Sequence, residues 1–407
     1  MSPALRLRLE VEDDRTKQTF VLPPRLSFDM HITRITSISL VMAAALSAQF
    51  AGLTLPPSGN NQKAATVQFI GPVRVSIEYS SPKVHGPDGK DRRGEIWGKL
   101  VPYGLSNLGF GKGKPGPWRA GANENTVFEV SHDVSIEGKP LPAGKYGFHI
   151  IPGAEEWVLI FSRNSSAWGS FFYDQGEDAL RVSVKPKKHD YREWLTYEFT
   201  TRRPDEATAE LQWEELAVPW TVKVPNVNEI YLSKLRQELT TVPGFSYQGY
   251  DAAAQFTAQS GADLEQGLKW ADAAINMPFI GQTNFGTLST KAQVLSKMGR
   301  NEEAAKIMQT AVKLPAATTI EIHQYGRQLL TEKKNAEALA VFQLNAERNG
   351  DAWPVHVGLA RGYAAVGEMG KALEHAKIAA GQAPDPVNRQ NLEAMVKDLS
   401  EGKAISQ

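Results

Sequence analysis

Small residues recur at 34-residue intervals in the last third of the chain, and this recurrence limits the fold more than any other feature. Ala304, Ala338 and Ala372 keep that spacing, and twelve positions upstream so do Ala292, Gly326 and Ala360. Leu295, Leu329 and Tyr363 share a further apolar position. Gly299-Arg300-Asn301-Glu302, Lys333-Lys334-Asn335-Ala336 and Gly367-Glu368-Met369-Gly370 lead in turn into helix starts reading EAA, EAL and KAL. Apolar residues between these points recur every three to four positions, so each unit predicts two helices joined by a turn. The small side chains fall where paired helices approach closely. Such a unit cannot bury its apolar face alone, so the units must stack. Leu268–Pro278 is similar to Ala305–Pro315, which predicts a degenerate first unit. Ile230–Leu239 predicts a helix before it, and Asn388–Leu399 a closing helix.

Ahead of Pro225 the period is two. Thr66–Ile70, Val73–Tyr79, Thr126–Val130, Val134–Glu137, Lys145–Ile151, Leu180–Val184, Trp194–Phe199, Ala207–Trp213 and Trp220–Val224 read as strands separated by turn residues. Tyr146, Phe148 and Ile150 point one way, and Gly147 and His149 the other. The continuous apolar run Trp157–Phe161 predicts a central strand buried on both faces. Many short strands without a long intervening helix predict an all-β sandwich or jelly-roll-like domain. The fold class is therefore multidomain: this β domain over 66–225, then an all-α repeat domain over 226–407.

The N-terminus predicts export. From Met30, a short positive region with His31 and Arg34 precedes the apolar run Ile38–Leu46, and Ser47-Ala48 offers a cleavage point before Gln49. Residues 30–48 read as a signal peptide, 49–65 as a linker, and 1–29 as a non-native or disordered upstream extension. Localisation follows as periplasmic or secreted. No later stretch approaches a transmembrane run, so no transmembrane span is expected in the mature chain.

Composition narrows the partners. Lys+Arg and Asp+Glu are both 45, so the chain lacks the basic excess of a nucleic-acid binder. It contains no cysteine, which excludes thiol nucleophiles, disulfides and thiolate metal sites. His85, His132 and His149 show no ligand spacing, and no metal or other cofactor is expected. No nucleophile elbow is present, and Gly109–Lys114 lacks phosphate-loop spacing. Glu155-Glu156 and Glu214-Glu215 are adjacent strand residues that point to opposite faces. Trp157, Trp194, Trp213 and Trp220 are expected in the sandwich core.

Several motifs fall in order between Ser81 and about Thr200. They are Ser81-Pro82, Ile96-Trp97-Gly98-Lys99-Leu100-Val101-Pro102-Tyr103-Gly104, Trp118-Arg119-Ala120-Gly121-Ala122-Asn123-Glu124, Gly138–Tyr146 and Trp168-Gly169. On these the region resembles a bacterial domain family of unknown function, the one numbered 2911. The resemblance implies an exported, β-rich domain, often with helical repeats behind it, and no established activity. The chain departs from the pattern in a polar loop at His85–Arg93 and a Gly/Pro-rich loop at Leu105–Pro117. The 34-residue helical period is in turn the tetratricopeptide signature, with most consensus aromatics missing.

Trp118, Arg119, Asn123 and Glu124 are the candidate ligand-binding or catalytic residues. Arg119 could grip a carboxylate or phosphate, and Glu124 could exchange protons if burial raised its pKa. The same residues could instead serve structure: an Arg119–Glu124 pair, a turn capped by Asn123, and Trp118 in the core. The β domain could bind a ligand or be only a structural platform, and two functions stay open for the chain. One is a binding protein whose repeats hold a protein or peptide partner. The other is a hydrolase of envelope or carbohydrate material acting through Trp118–Glu124.

Overall fold

The computed structural model describes residues 61–109, 113–403 and 405. The signal peptide and the upstream extension lie outside the described residues. Among these residues, ten strands come first. β1 (Gln62–Ile70), β2 (Val73–Ser81), β3 (Thr126–Val130), β6 (Gly144–Ile151), β7 (Trp157–Ser162) and β8 (Asp178–Val184) form one sheet in the order β1-β2-β3-β6-β7-β8. β4 (Val134–Ile136), β5 (Lys139–Leu141), β9 (Lys187–Arg202) and β10 (Glu206–Lys223) form a second, in the order β5-β4-β10-β9. The recorded strand pairings are antiparallel. The inner faces meet in one core, where Phe148 lies 5.3 Å from Trp220 and 6.2 Å from Tyr197, ring centre to ring centre. The sandwich expected from the period-two pattern is present.

Three details differ from expectation. β1 opens at Gln62, inside the segment assigned to the linker. The stretches expected as Ala207–Trp213 and Trp220–Val224 are one strand, β10, whose pairing with β9 shifts register between Gln212 and Glu214 and again between Glu214 and Leu216. Glu214 takes a positive φ of 55° at that point and separates the two apolar runs without breaking the strand. Trp194 does not join Trp157, Trp213 and Trp220 in the core. β9 turns Leu195, Tyr197 and Phe199 inward, and the Lys83 ammonium lies 5.3 Å from the Trp194 ring.

Ten α-helices follow among the described residues: α1 (Val227–Glu238), α2 (Tyr247–Ser260), α3 (Leu264–Asn276), α4 (Phe285–Lys297), α5 (Asn301–Ala311), α6 (Thr319–Thr331), α7 (Asn335–Asn349), α8 (Trp353–Ala365), α9 (Met369–Gly381) and α10 (Pro386–Ser400). α4/α5, α6/α7 and α8/α9 are the three 34-residue units, α2/α3 the degenerate one, and α10 closes the array. Side chains of Ser246, Asp263, Asn284, Thr318 and Asp385 accept backbone N–H bonds at helix starts, as capping residues do. α1 belongs to both halves. Val227 and Ile230 pack on the sandwich core, while Leu232 and Leu235 pack with α2 and α3 residues Ala253, Ala254 and Trp270.

Each regular unit turns at the same point. Gly299 and Gly367 have φ of 79° and 86°, and Lys333, at the matching place, has 60°. A left-handed conformation costs an L-residue about 1 kcal/mol or more relative to glycine. Lys333→Gly is therefore expected to raise stability by about 1 kcal/mol. A thermal melt of the variant reads this directly, and an unchanged or lower midpoint contradicts it.

Candidate functional site

Trp118–Glu124 is a loop set into a β ladder. β3 pairs with β6 as far as Thr126 opposite Phe148, and the Trp118 backbone then takes the next place with two 2.8 Å bonds to Ile150. The chain between must bulge out and return. Ala120 and Asn123 adopt φ of 53° and 55° to do so. The Ala120 carbonyl accepts from Tyr197 Oη at 2.6 Å and Thr126 Oγ1 at 3.1 Å. Gly121 fits where a Cβ would stand 2.9 Å from Thr126 Oγ1 and 3.1 Å from the Ser80 carbonyl. Trp118 Nε1 donates to the Gly121 carbonyl at 3.1 Å. The indole of Trp118 is half-buried and lies 6.2 Å from Trp213 and 5.8 Å from Trp97. Trp97 in turn packs edge-on against Trp157 at 4.9 Å. Much of the motif thus holds backbone geometry.

Arg119 and Glu124 take different partners. Arg119 Nη1 donates to the Asn123 carbonyl at 2.7 Å, and its guanidinium lies 5.0 Å from the Phe171 ring. Glu124 accepts from Ser80 Oγ at 2.8 Å and pairs with Lys63 at 3.5 Å. Burial alone would raise the Glu124 pKa. Its own backbone N–H, Ser80 and Lys63 outweigh that and hold it below the usual carboxylate value. A carboxylate so held stays ionised at neutral pH and is a poor proton donor. Its side chain is 43% exposed, so the pair with Lys63 is worth little. Glu124→Gln is expected to change unfolding free energy by less than about 1 kcal/mol. A larger loss on chemical denaturation would assign Glu124 a structural role.

Arg119 leads to a second group that the sequence did not mark as a site. Its guanidinium passes Gly169, where a Cβ would come within 2.8 Å of Cζ. This explains the glycine of the Trp168-Gly169 motif. The β7–β8 connection folds over the outer face of the sheet there and covers His149, which is 2% exposed. His149 Nδ1 bonds Ser170 Oγ at 2.8 Å, and its ring meets Tyr173 edge-on at 5.5 Å. Tyr173 Oη donates to Asp178 at 2.7 Å, and Arg181 binds both of them. Burial, reinforced by the Arg119 charge, lowers the His149 pKa to about 4. The ring is neutral at physiological pH. Beside it, Gly147 leaves room for Asn125 Nδ2 and the Asn164 carbonyl, both 2.4 Å from where a Cβ would stand.

A neutral imidazole against a serine hydroxyl has the parts of a nucleophile and base. Ser170 is also only 2% exposed, so the pair is closed off from solvent. Among the described residues, no group of three or more His, Asp or Glu side chains is placed to hold a metal ion. No helix among them is long and apolar enough to cross a membrane. Ser170 adjoins a recognised motif, which is the one signal that could have found it. Nothing in the local pattern marks Tyr173, Asp178 or Arg181.

Residues 61–222 match the family described as "Protein of unknown function (DUF2911)". The β domain therefore carries the resemblance its motifs indicated, and the helical repeat array follows it. No curated protein matches the chain. Among solved structures, "MamA 41-end from Desulfovibrio magneticus RS-1" is similar at 18% identity, over 38% of this chain and 89% of that one, with a TM-score of 0.28. "MamA RS-1 ArsTM double mutant" is similar at 18% identity over the same shares, with a TM-score of 0.27.

Proposed function

We propose that this chain, a family-2911 β domain joined to a tetratricopeptide-like array, is an exported binding protein that holds a peptide or protein segment on its helices. A cleft of about 790 Å³ among α2, α4, α5 and α6 carries the reading. Gln259, Gln293 and Gln328 line it beside Met308 and Leu329. Amide donors and acceptors next to apolar ground suit an extended backbone, which needs both. Stacked hairpins commonly present such surfaces to partners. The hydrolase alternative draws no support from Glu124, which is tied to Ser80 and Lys63.

Phage-displayed peptides panned against the full chain test the reading. Enriched peptides are expected to bind in the micromolar range, and about tenfold more weakly to a Gln293→Ala/Gln328→Ala variant. Enrichment no better than on blank support, or binding indifferent to both substitutions, sinks it. Export rests on the charged, apolar and small-residue order of residues 30–48. It predicts a mature N-terminus at Gln49, read by intact mass, and a chain that keeps residues 30–48 after secretion refutes that cleavage.

A further inference from the structure

We infer that the edge of the array where α2 and α4 begin docks on a lipid bilayer, with Val242, Phe245 and Phe279 entering the boundary between headgroups and acyl chains. This goes beyond the peptide reading and does not depend on it. α2 turns back into α3 at Gly261, and Gly267 packs on Thr257. α3 returns as α4, where Asp272 pairs with Lys291 at 2.7 Å. α2 and α4 therefore run parallel and start at the same end. Gln255 Nε2 donates to Thr290 Oγ1 at 3.3 Å. Ten residues back from Gln255 stands Phe245, and eleven back from Thr290 stands Phe279. The register thus brings the two rings to the same edge.

Phe279 is fully exposed, and Val242 and Phe245 are 83% and 80% exposed. Phe279 also takes a left-handed φ of 70°, which a bulky residue rarely adopts. Soluble surfaces seldom gather large apolar side chains without a partner. The charge pattern selects that partner. No charged residue occurs between Glu238 and Asp251, or between Asp272 and Lys291, in a chain of which 22% is charged. The opposite edge is the reverse: Asp263 and Glu265 stand at the start of α3, and Arg300, Glu302 and Glu303 at the start of α5. An uncharged edge gives up no ion hydration on entering a medium of low dielectric. The rings stand on protruding connections between helices, not in a groove. A fluid bilayer moulds itself around such tips, whereas a folded partner would need a pocket for each ring. Aromatic side chains settle at the membrane boundary. With no Lys or Arg beside them, the attraction is hydrophobic and needs no anionic lipid.

Flotation of the full chain with phosphatidylcholine vesicles tests the surface. The parent is expected to float with the lipid equally at about 100 mM and about 500 mM salt. Phe245→Ser/Phe279→Asn is expected to partition about tenfold more weakly or worse, and each single variant to fall between. Both positions are exposed and Asn accepts the left-handed conformation, so the double variant keeps the thermal midpoint of the parent. Gln293→Ala/Gln328→Ala is expected to float like the parent, which separates this edge from the peptide cleft. No flotation of the parent, equal flotation of parent and double variant, or flotation only with anionic vesicles at low salt overturns the inference. So does a parent that fails to float and dimerises by light scattering where the double variant does not, since the edge is then a contact between two copies.

Discussion

Lowering the pH from 7 to 4.5 is expected to cost the β domain about 2.5 kcal/mol through His149 alone. In the unfolded chain a histidine takes its proton near pH 6.5, whereas His149 in the fold takes one only near 4. Between these values the unfolded state binds a proton that the folded state refuses. Stability therefore falls as pH drops through 6.5 and levels off below about 4. Above 6.5 this group contributes no pH dependence. Carboxylates such as Glu124, held low in the fold, add their own loss at more acid pH. Comparison with His149→Gln removes that shared part. Urea unfolding of both chains at the two pH values should show the parent losing about 2.5 kcal/mol more than the variant. Equal losses would mean that the imidazole reaches water and titrates normally, and the covered site described above would be wrong. His323 is also held near 4, so the repeat array should show its own acid loss, which persists in the His149 variant.

Phe342→Ala is expected to destabilise the array by about 3–5 kcal/mol. Phe342, on α7, is fully buried, and three glycines on the flanking helices make its socket. Cβ atoms built on Gly326, Gly358 and Gly362 would stand 2.4, 2.5 and 2.9 Å from ring atoms. The ring fills space that the absent side chains vacate, so neither can change alone. Truncation leaves a cavity that rigid helices close poorly. Neighbouring units stabilise one another, so hydrogen exchange should speed up in α6 and α8 as well as in α7. A loss below about 1 kcal/mol would show that the helices close over the gap.

The two halves of the chain were legible for different reasons. The repeat was readable because a periodic fold writes its contacts at fixed intervals: Ala292, Gly326 and Ala360 mark the approach of paired helices. Strand positions were legible from alternation, and strand continuity was not. Ala207–Trp213 and Trp220–Val224 read as separate strands, although a bulge at Glu214 lets β10 run through. The motif around Gly121 was visible as a group of unusual residues. Its division into backbone support at Ala120 and Gly121 and a reaching side chain at Arg119 depends on Ser80, Gly169 and Tyr197. These lie 41, 48 and 76 residues from Gly121, and no local pattern links them to it.

The placement of α1 bears on where this chain can be cut. A boundary drawn at Pro225 from the change of period would strip Val227 and Ile230 from the sandwich and leave an apolar scar there. A cut after α1 would instead take Leu232 and Leu235 from the array. Either fragment inherits a wound from the other, because the first helix is a splice shared by both. The junction thus supplies each half with part of a wall of its own interior.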